Sequence, residues 1–149
     1  RNAGARGALP AARGRERRLE LDLSRVEPAR RLFAEALEVI RAVGERHSEG
    51  TTLGYMASLC RETGQLRGAE VLYLEALAIH RETQNVRLEG QALMMLARLR
   101  LARGRIDGAR SAWREAAVVV RKAGGPAELA RRTREMQAEC AAAGVDGVV

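Results

Sequence analysis

Apolar residues recur at helical spacing along most of the chain. Between Thr51 and Thr63 they fall at Leu53, Met56, Ala57, Leu59 and Cys60, one stripe of a helix. Gly64 follows at the position where a glycine ends a helix. A second stripe runs from Arg67 to Glu82 through Ala69, Leu72, Tyr73, Ala76, Leu77 and Ile79. The same alternation predicts helices over 91–103 and 107–122, with Gly104 between them. Gly124-Gly125-Pro126 is a strong break, and a last helix is predicted over 127–143, ending at Gly144. Upstream, Ala29, Leu32, Phe33, Ala36, Leu37 and Ile40 form another helical face, while residues 11–23 carry Arg13, Glu16 and Arg17 where apolar residues would be expected. Three prolines in a chain rich in Ala, Leu and Arg fit helix throughout. The predicted fold class is all-α, without strands.

The helices are copies. Residues 49–88 and 89–128 superimpose at an offset of forty: Leu53/Leu93, Ala57/Ala97, Leu59/Leu99, Gly64/Gly104, Ala69/Ala109, Glu75/Glu115, Ala76/Ala116 and Arg81/Arg121 are identical, and Tyr73/Trp113 is like for like. Such a period predicts a solenoid, in which each unit buries its apolar face only against its neighbours. Residues 1–8 are read as a disordered basic segment and 9–144 as one repeat domain. Within it lie a degenerate unit over 9–48, the two full units, and a helix over 127–143 that caps the array with Arg131, Arg132, Glu135 and Glu139 facing outward. Residues 145–149 form a tail.

The small and aromatic positions resemble the signature of the tetratricopeptide repeat. Leu53, Met56, Ala57, Gly64, Ala69, Tyr73 and Ala76 carry it once, and Leu93, Leu96, Ala97, Gly104, Ala109, Trp113 and Ala116 repeat it. Ala29, Phe33 and Ala36 supply its second half again. A forty-residue period, with the stretch Glu75–Glu82, resembles the longer-helix variety found in kinesin light chains and bacterial regulators. Departures are Arg100 in place of Cys60 and Cys140, and Arg81 and Arg121 where the family often has proline. The resemblance implies an α-α superhelix, a right-handed solenoid of antiparallel helix pairs. It also implies a concave groove, lined by the first helices, that holds a peptide or helix of a partner. The groove candidates are Gly54, Tyr55, Ser58, Arg61, Met94, Arg98, Leu101, Arg131 and Arg134, flanked by Thr51, Glu62, Gln91, Met95, Ala102 and Ala138. The family's carboxylate clamp of Lys and Asn is missing, because Lys122 is the single lysine and no first helix carries Asn.

Charge changes this picture modestly. The net charge of +7 is uneven, and residues 98–134 form the electropositive part of the folded body. Through Arg–carboxylate forks that region would suit an acidic peptide. Nucleic acid would use the same charge, yet Tyr73 and Trp113 belong to the core stripe and no aromatic is placed for base stacking. All basic residues but Lys122 are Arg, a bias better explained by coding composition than by phosphate binding.

Catalytic chemistry finds no support. His47 and His80 fall in different units with no Cys, Ser or Asp arranged for nucleophilic attack. Cys60 and Cys140 stand two periods apart, roughly 20 Å at the spacing of packed helices, too far for a disulfide. No metal, cofactor or phosphate-loop pattern is found, and no small-molecule substrate is implied. No apolar run reaches membrane-spanning length and no signal-peptide core is present, which makes the cytoplasm the default location. The chain begins with Arg1 rather than Met, so a longer or processed parent is expected. The leading expectation is a non-catalytic protein-interaction module. The second is a regulatory or oligomerisation segment of a larger signalling protein, such as a kinase or transcription regulator, with self-association left open.

Overall fold

A computed structural model describes the backbone from Pro10 and side chains from Val26 through Val149. The expected disorder of residues 1–8 lies outside the described residues. Five helices follow one another: α1 Pro10–Val43, α2 Arg46–Glu62, α3 Leu66–Glu82, α4 Val86–Ala102 and α5 Ile106–Ala142. No strand occurs among the described residues. Each helix packs on the next, and the α2 and α4 backbones also approach each other, whereas α1 meets α3, and α3 meets α5, only through the long side chains of Arg41 with Glu75 and Arg81 with Glu115. The molecule is therefore an all-α helical repeat solenoid, curved so that α2 and α4 lie on its inner wall. None of the described helices is long and apolar enough to cross a membrane.

One turn geometry recurs every twenty residues. The backbone N–H of Glu45, Gln65, Asn85, Arg105 and Val145 donates to the carbonyl of Ile40, Cys60, His80, Arg100 and Cys140, at 2.8–3.2 Å. These bonds close a left-handed turn after each helix. Its pivot is Gly64 or Gly104 with φ +77° or +69°, but Gln84 with φ +54° between α3 and α4. The next expected turn, at Gly125, takes another form. Gly125 has φ 77° and ψ −177°, and Pro126 follows, so α5 bends there into two arms over 106–124 and 126–142. Pro126 suits the opening of the second arm, where its missing N–H would have had no partner.

The helices begin earlier than the apolar stripe suggests. Side chains of Glu45 and Asn85 accept hydrogen bonds from the N–H of Ser48 and Leu88, and α2 and α4 start at Arg46 and Val86, each five residues ahead of its expected start. The first unit differs more. α1 runs unbroken through Pro28, which offers no N–H to the carbonyl of Ser24, so no turn separates residues 11–23 from the helix that carries Phe33.

Leu53, Leu93, Leu96 and Leu99 are the largest fully buried side chains of α2 and α4, each contributing about 1.5–3 kcal/mol. Ala57, Ala69, Ala76, Ala97, Ala109 and Ala116 have no exposed surface and let the helices approach closely. Tyr73 and Trp113 fill the space beside them. The tail also belongs to the core: Val148 is 2% exposed, and Arg110 donates to the Gly147 carbonyl at 2.5 Å.

Candidate functional site

Two clefts open along the inner wall and meet at Gln91. The upper one, about 110 Å³, lies among α2, α3 and α4 and is lined by Thr51, Gly54, Tyr55, Ser58, Tyr73, Ala76, His80, Leu88, Gln91, Ala92 and Met95. The lower one, about 490 Å³, lies where the second arm of α5 swings away from α4. Arg87, Gln91, Met94, Val120, Ala123, Gly124, Glu128, Arg131 and Arg132 line it. The bend at Gly125 creates this cleft, because a straight continuation of α5 would carry Glu128, Arg131 and Arg132 away from Met94.

In the upper cleft the polar groups are fixed. The hydroxyls of Ser58 and Tyr73 share a hydrogen bond of 2.9 Å, and Ser58 also donates to the Gly54 carbonyl at 3.1 Å. Tyr55 is 60% exposed and its ring stacks on Phe33 of α1, with centroids 6.2 Å apart and planes 19° apart. His80 is buried, its Nδ1 has no hydrogen-bond partner, and burial followed by the nearby His47 holds its pKa below the ordinary value against the opposing pull of Glu89. Burial therefore disfavours the charged form of this imidazole inside the wall.

The sequence candidates divide. Gly54, Tyr55 and Ser58 line the upper cleft and Arg131 the lower. Met94 touches the lower cleft but is only 4% exposed, and Leu101 is 6% exposed within the core cluster. Met94 thus keeps a place in the cleft lining, whereas the expected place of Leu101 on an open wall is corrected, because its side chain is buried in the core. Arg61 and Arg98 are half-buried, each with an unpartnered Nε. Arg134 is exposed and lines neither cleft. Of the flanking candidates, Thr51, Gln91 and Met95 line the clefts, whereas Glu62, Ala102 and Ala138 do not. Helical spacing missed the contributions of the second helices, Tyr73, Ala76, His80 and Val120, which reach the clefts between the first helices.

Much of the electropositive third is engaged in ion pairs. Arg98 pairs with Glu139. Arg131 donates to Glu128 at 2.7 Å and Glu135 at 2.8 Å, and Arg132 donates to the same two carboxylates. Hydrogen bonds from Arg131 and then Arg132 hold the Glu128 carboxyl below its ordinary pKa. Glu70, 6% exposed on α3, gathers three guanidinium groups: Arg100 at 2.9 Å, Arg105 at 3.1 Å, and Arg103. Arg100 thereby accounts for its departure from the cysteine of the other units. These pairs remove the basis for expecting an acidic partner, since Arg98 and Arg131 already hold carboxylates.

Cys60 and Cys140 are buried free thiols, and burial pushes the Cys140 thiol up. Among the described residues no group of three His, Cys, Asp or Glu side chains is arranged to hold a metal ion.

Residues 18–82, from within α1 to the end of α3, match the family model described as tetratricopeptide repeat. The match supports a tetratricopeptide-repeat protein, and repeats of this kind generally mediate protein–protein interaction. The internal copy over residues 89–128 carries the same pattern into α4 and α5. No curated protein matches the chain.

Proposed function

We propose that this chain is a non-catalytic interaction module of the long-repeat, kinesin-light-chain-like variety, which holds a segment of another protein along the wall formed by α2, α4 and the second arm of α5. The observation that carries the reading is the pair of clefts joined at Gln91 on a wall of closely packed helices. A preformed wall lowers the ordering cost of binding, because only the partner segment loses conformational freedom. The twenty-residue half-period, broken only at Gly125 among the described turns, supports the long-repeat assignment.

The clefts favour a ligand of mixed character. The upper one offers Thr51, Ser58 and Gln91 as hydrogen-bonding groups beside Ala92 and Met95, and methionine adapts readily to varied apolar shapes. The lower one offers Arg87 at its rim, with Arg131 and Arg132 already neutralised by Glu128 and Glu135. A segment with one apolar and one hydrogen-bonding side chain at neighbouring contact points matches this surface better than a polyacidic one.

The test is site-directed photo-crosslinking in lysate of the source cell. A benzophenone side chain would be placed at Tyr55 or Gln91 on the inner wall, and at Leu74 or Val118 on the exposed outer helices. The same partner band from both inner positions and from neither outer position supports the reading. Capture only from Leu74 or Val118 refutes it.

A further inference from the structure

The upper cleft is open where the next repeat is filled. Gly54 belongs to its lining, and a Cβ there would meet nothing within 4 Å. Forty residues on, the same place in α4 is taken by Met94, which is 4% exposed. Beside Trp113, the counterpart of Tyr73, Met94 leaves a gap of only about 10 Å³, against about 110 Å³ in the upper cleft. The other end of this second site opens into the lower cleft, because α5 bends at Gly125. The molecule's own second repeat thus displays an occupant for this place, one long unbranched side chain.

The floor of the upper cleft differs from its counterpart in polarity. His80 stands where the second site has Val120. It is 3% exposed, its Nδ1 has no hydrogen-bond partner, and burial disfavours its charged form. A neutral imidazole keeps one lone pair on its nitrogens. The Nδ1–Cε1 edge of the ring faces Gly50, one turn before Gly54 on the same side of α2. The hydroxyl protons of the cleft are already committed. Ser58 donates to the Gly54 carbonyl at 3.1 Å, so the proton in its 2.9 Å bond with Tyr73 is that of Tyr73. Thr51 donates to the His47 carbonyl at 3.0 Å. These three oxygens therefore have lone pairs left to offer rather than protons. The described lining contains no carboxylate and no guanidinium, and Glu89, which acts on His80, is held by Arg81 at 3.0 Å. An ammonium or guanidinium inserted here would be buried without a counter-charge, and a carboxylate would face lone pairs.

On the reading that the inner wall holds a protein segment, we propose that the upper cleft is a pocket for one glutamine side chain of that segment. Its methylenes take the place that Met94 takes in the second site, and its amide N–H donates to His80 Nδ1, with the imidazole proton on Nε2. Its amide oxygen stays at the mouth, where the exposed Gln91 supplies an N–H. Glutamine combines the unbranched reach of methionine with an uncharged donor at its tip.

Panning a random peptide display library on the native chain, followed by titration of the enriched peptides, tests this. Peptides enriched on the native chain should share a glutamine at one aligned position. Replacing that glutamine with methionine should weaken binding to the native chain by on the order of tenfold, through the lost hydrogen bond. Replacing it with glutamate should weaken binding further. His80→Val, which gives the first site the floor of the second, should bind the glutamine and methionine peptides equally. Gly54→Met, which closes the cleft with the side chain already used at Met94, should bind both weakly and without preference, while circular dichroism shows the fold intact; it decides the matter alone if His80→Val does not fold. Enriched peptides that crosslink to Gln91 but share no glutamine, or a glutamine preference that survives in Gly54→Met, overturn the pocket and leave the inner wall standing. No enriched peptide, or crosslinks only at Leu74 or Val118, overturns the wall and the pocket together.

Discussion

Gly50 and Gly54 lie one turn apart on α2, and replacing each with alanine should move stability in opposite directions. Both changes gain about 1 kcal/mol of helix propensity, because alanine loses less conformational freedom than glycine. Their surroundings differ. At Gly54 a Cβ meets nothing within 4 Å, so the gain should survive intact. At Gly50 it would lie 2.9 Å from both His80 Cε1 and Ile79 Cγ2 and 3.0 Å from His80 Nδ1. His80 and Ile79 are 3% and 5% exposed, so the added methyl would press on side chains already buried in the core. Overpacking of this kind costs about 1–3 kcal/mol. Propensity cancels in the comparison, so Gly54→Ala should exceed Gly50→Ala in stability by about 1–3 kcal/mol. At about 2–4 °C per kcal/mol for a chain of this size, that is a gap in melting temperature of roughly 2–12 °C. Thermal unfolding followed by circular dichroism measures it. Equal melting temperatures would refute the close α2–α3 crossing at Gly50.

Trp113→Ala should cost about 3–5 kcal/mol, because the ring is 7% exposed within the main core cluster, and a loss below about 1 kcal/mol in urea unfolding would show that this face of α5 is not core. Glu70→Gln should cost about 1–3 kcal/mol at neutral pH by leaving three guanidinium groups without their carboxylate, discounted because Arg105 is about half exposed. Burial alone would raise the Glu70 pKa, but the Arg100 hydrogen bond and the charges of Arg105, Arg100 and Arg103 bring it below 4.5. The contribution is thus present above the unfolded pKa and is lost as pH falls through the lower folded value. The stability gap between native and Glu70→Gln chains should therefore narrow as pH falls below roughly 4, and a gap that widens there would contradict the ion-pair assignment.

Most of the array was legible because its information is periodic. Small residues at 57, 69, 76, 97, 109 and 116 and rings at 73 and 113 mark the crossings, and all of them are buried. The cap boundaries were less legible, since Glu45 and Asn85 act through local hydrogen bonds outside the apolar stripe. The unbroken course of α1 through Pro28 was illegible because residues 11–23 lack the stripe that would fold them back. The site was the least legible part. Leu101 falls on the nominal inner face of α4 but is buried in the core, and only an edge of Met94 reaches the lower cleft. Net charge also misdirected the reading of partners. A count of arginines does not reveal that Arg100, Arg103 and Arg105 converge on Glu70, thirty and more residues away in sequence.

The central claim, that the inner wall binds a protein segment, is tested most directly by amide chemical-shift mapping with a peptide selected from a random display library on the native chain. Perturbations should cluster at Thr51, Tyr55, Ser58, Gln91 and Met95 and along the second arm near Glu128, and Gln91→Arg should abolish them while the fold persists. Perturbations confined to the outer faces of α3 and α5, near Leu74 and Val118, and unaffected by Gln91→Arg, would contradict it.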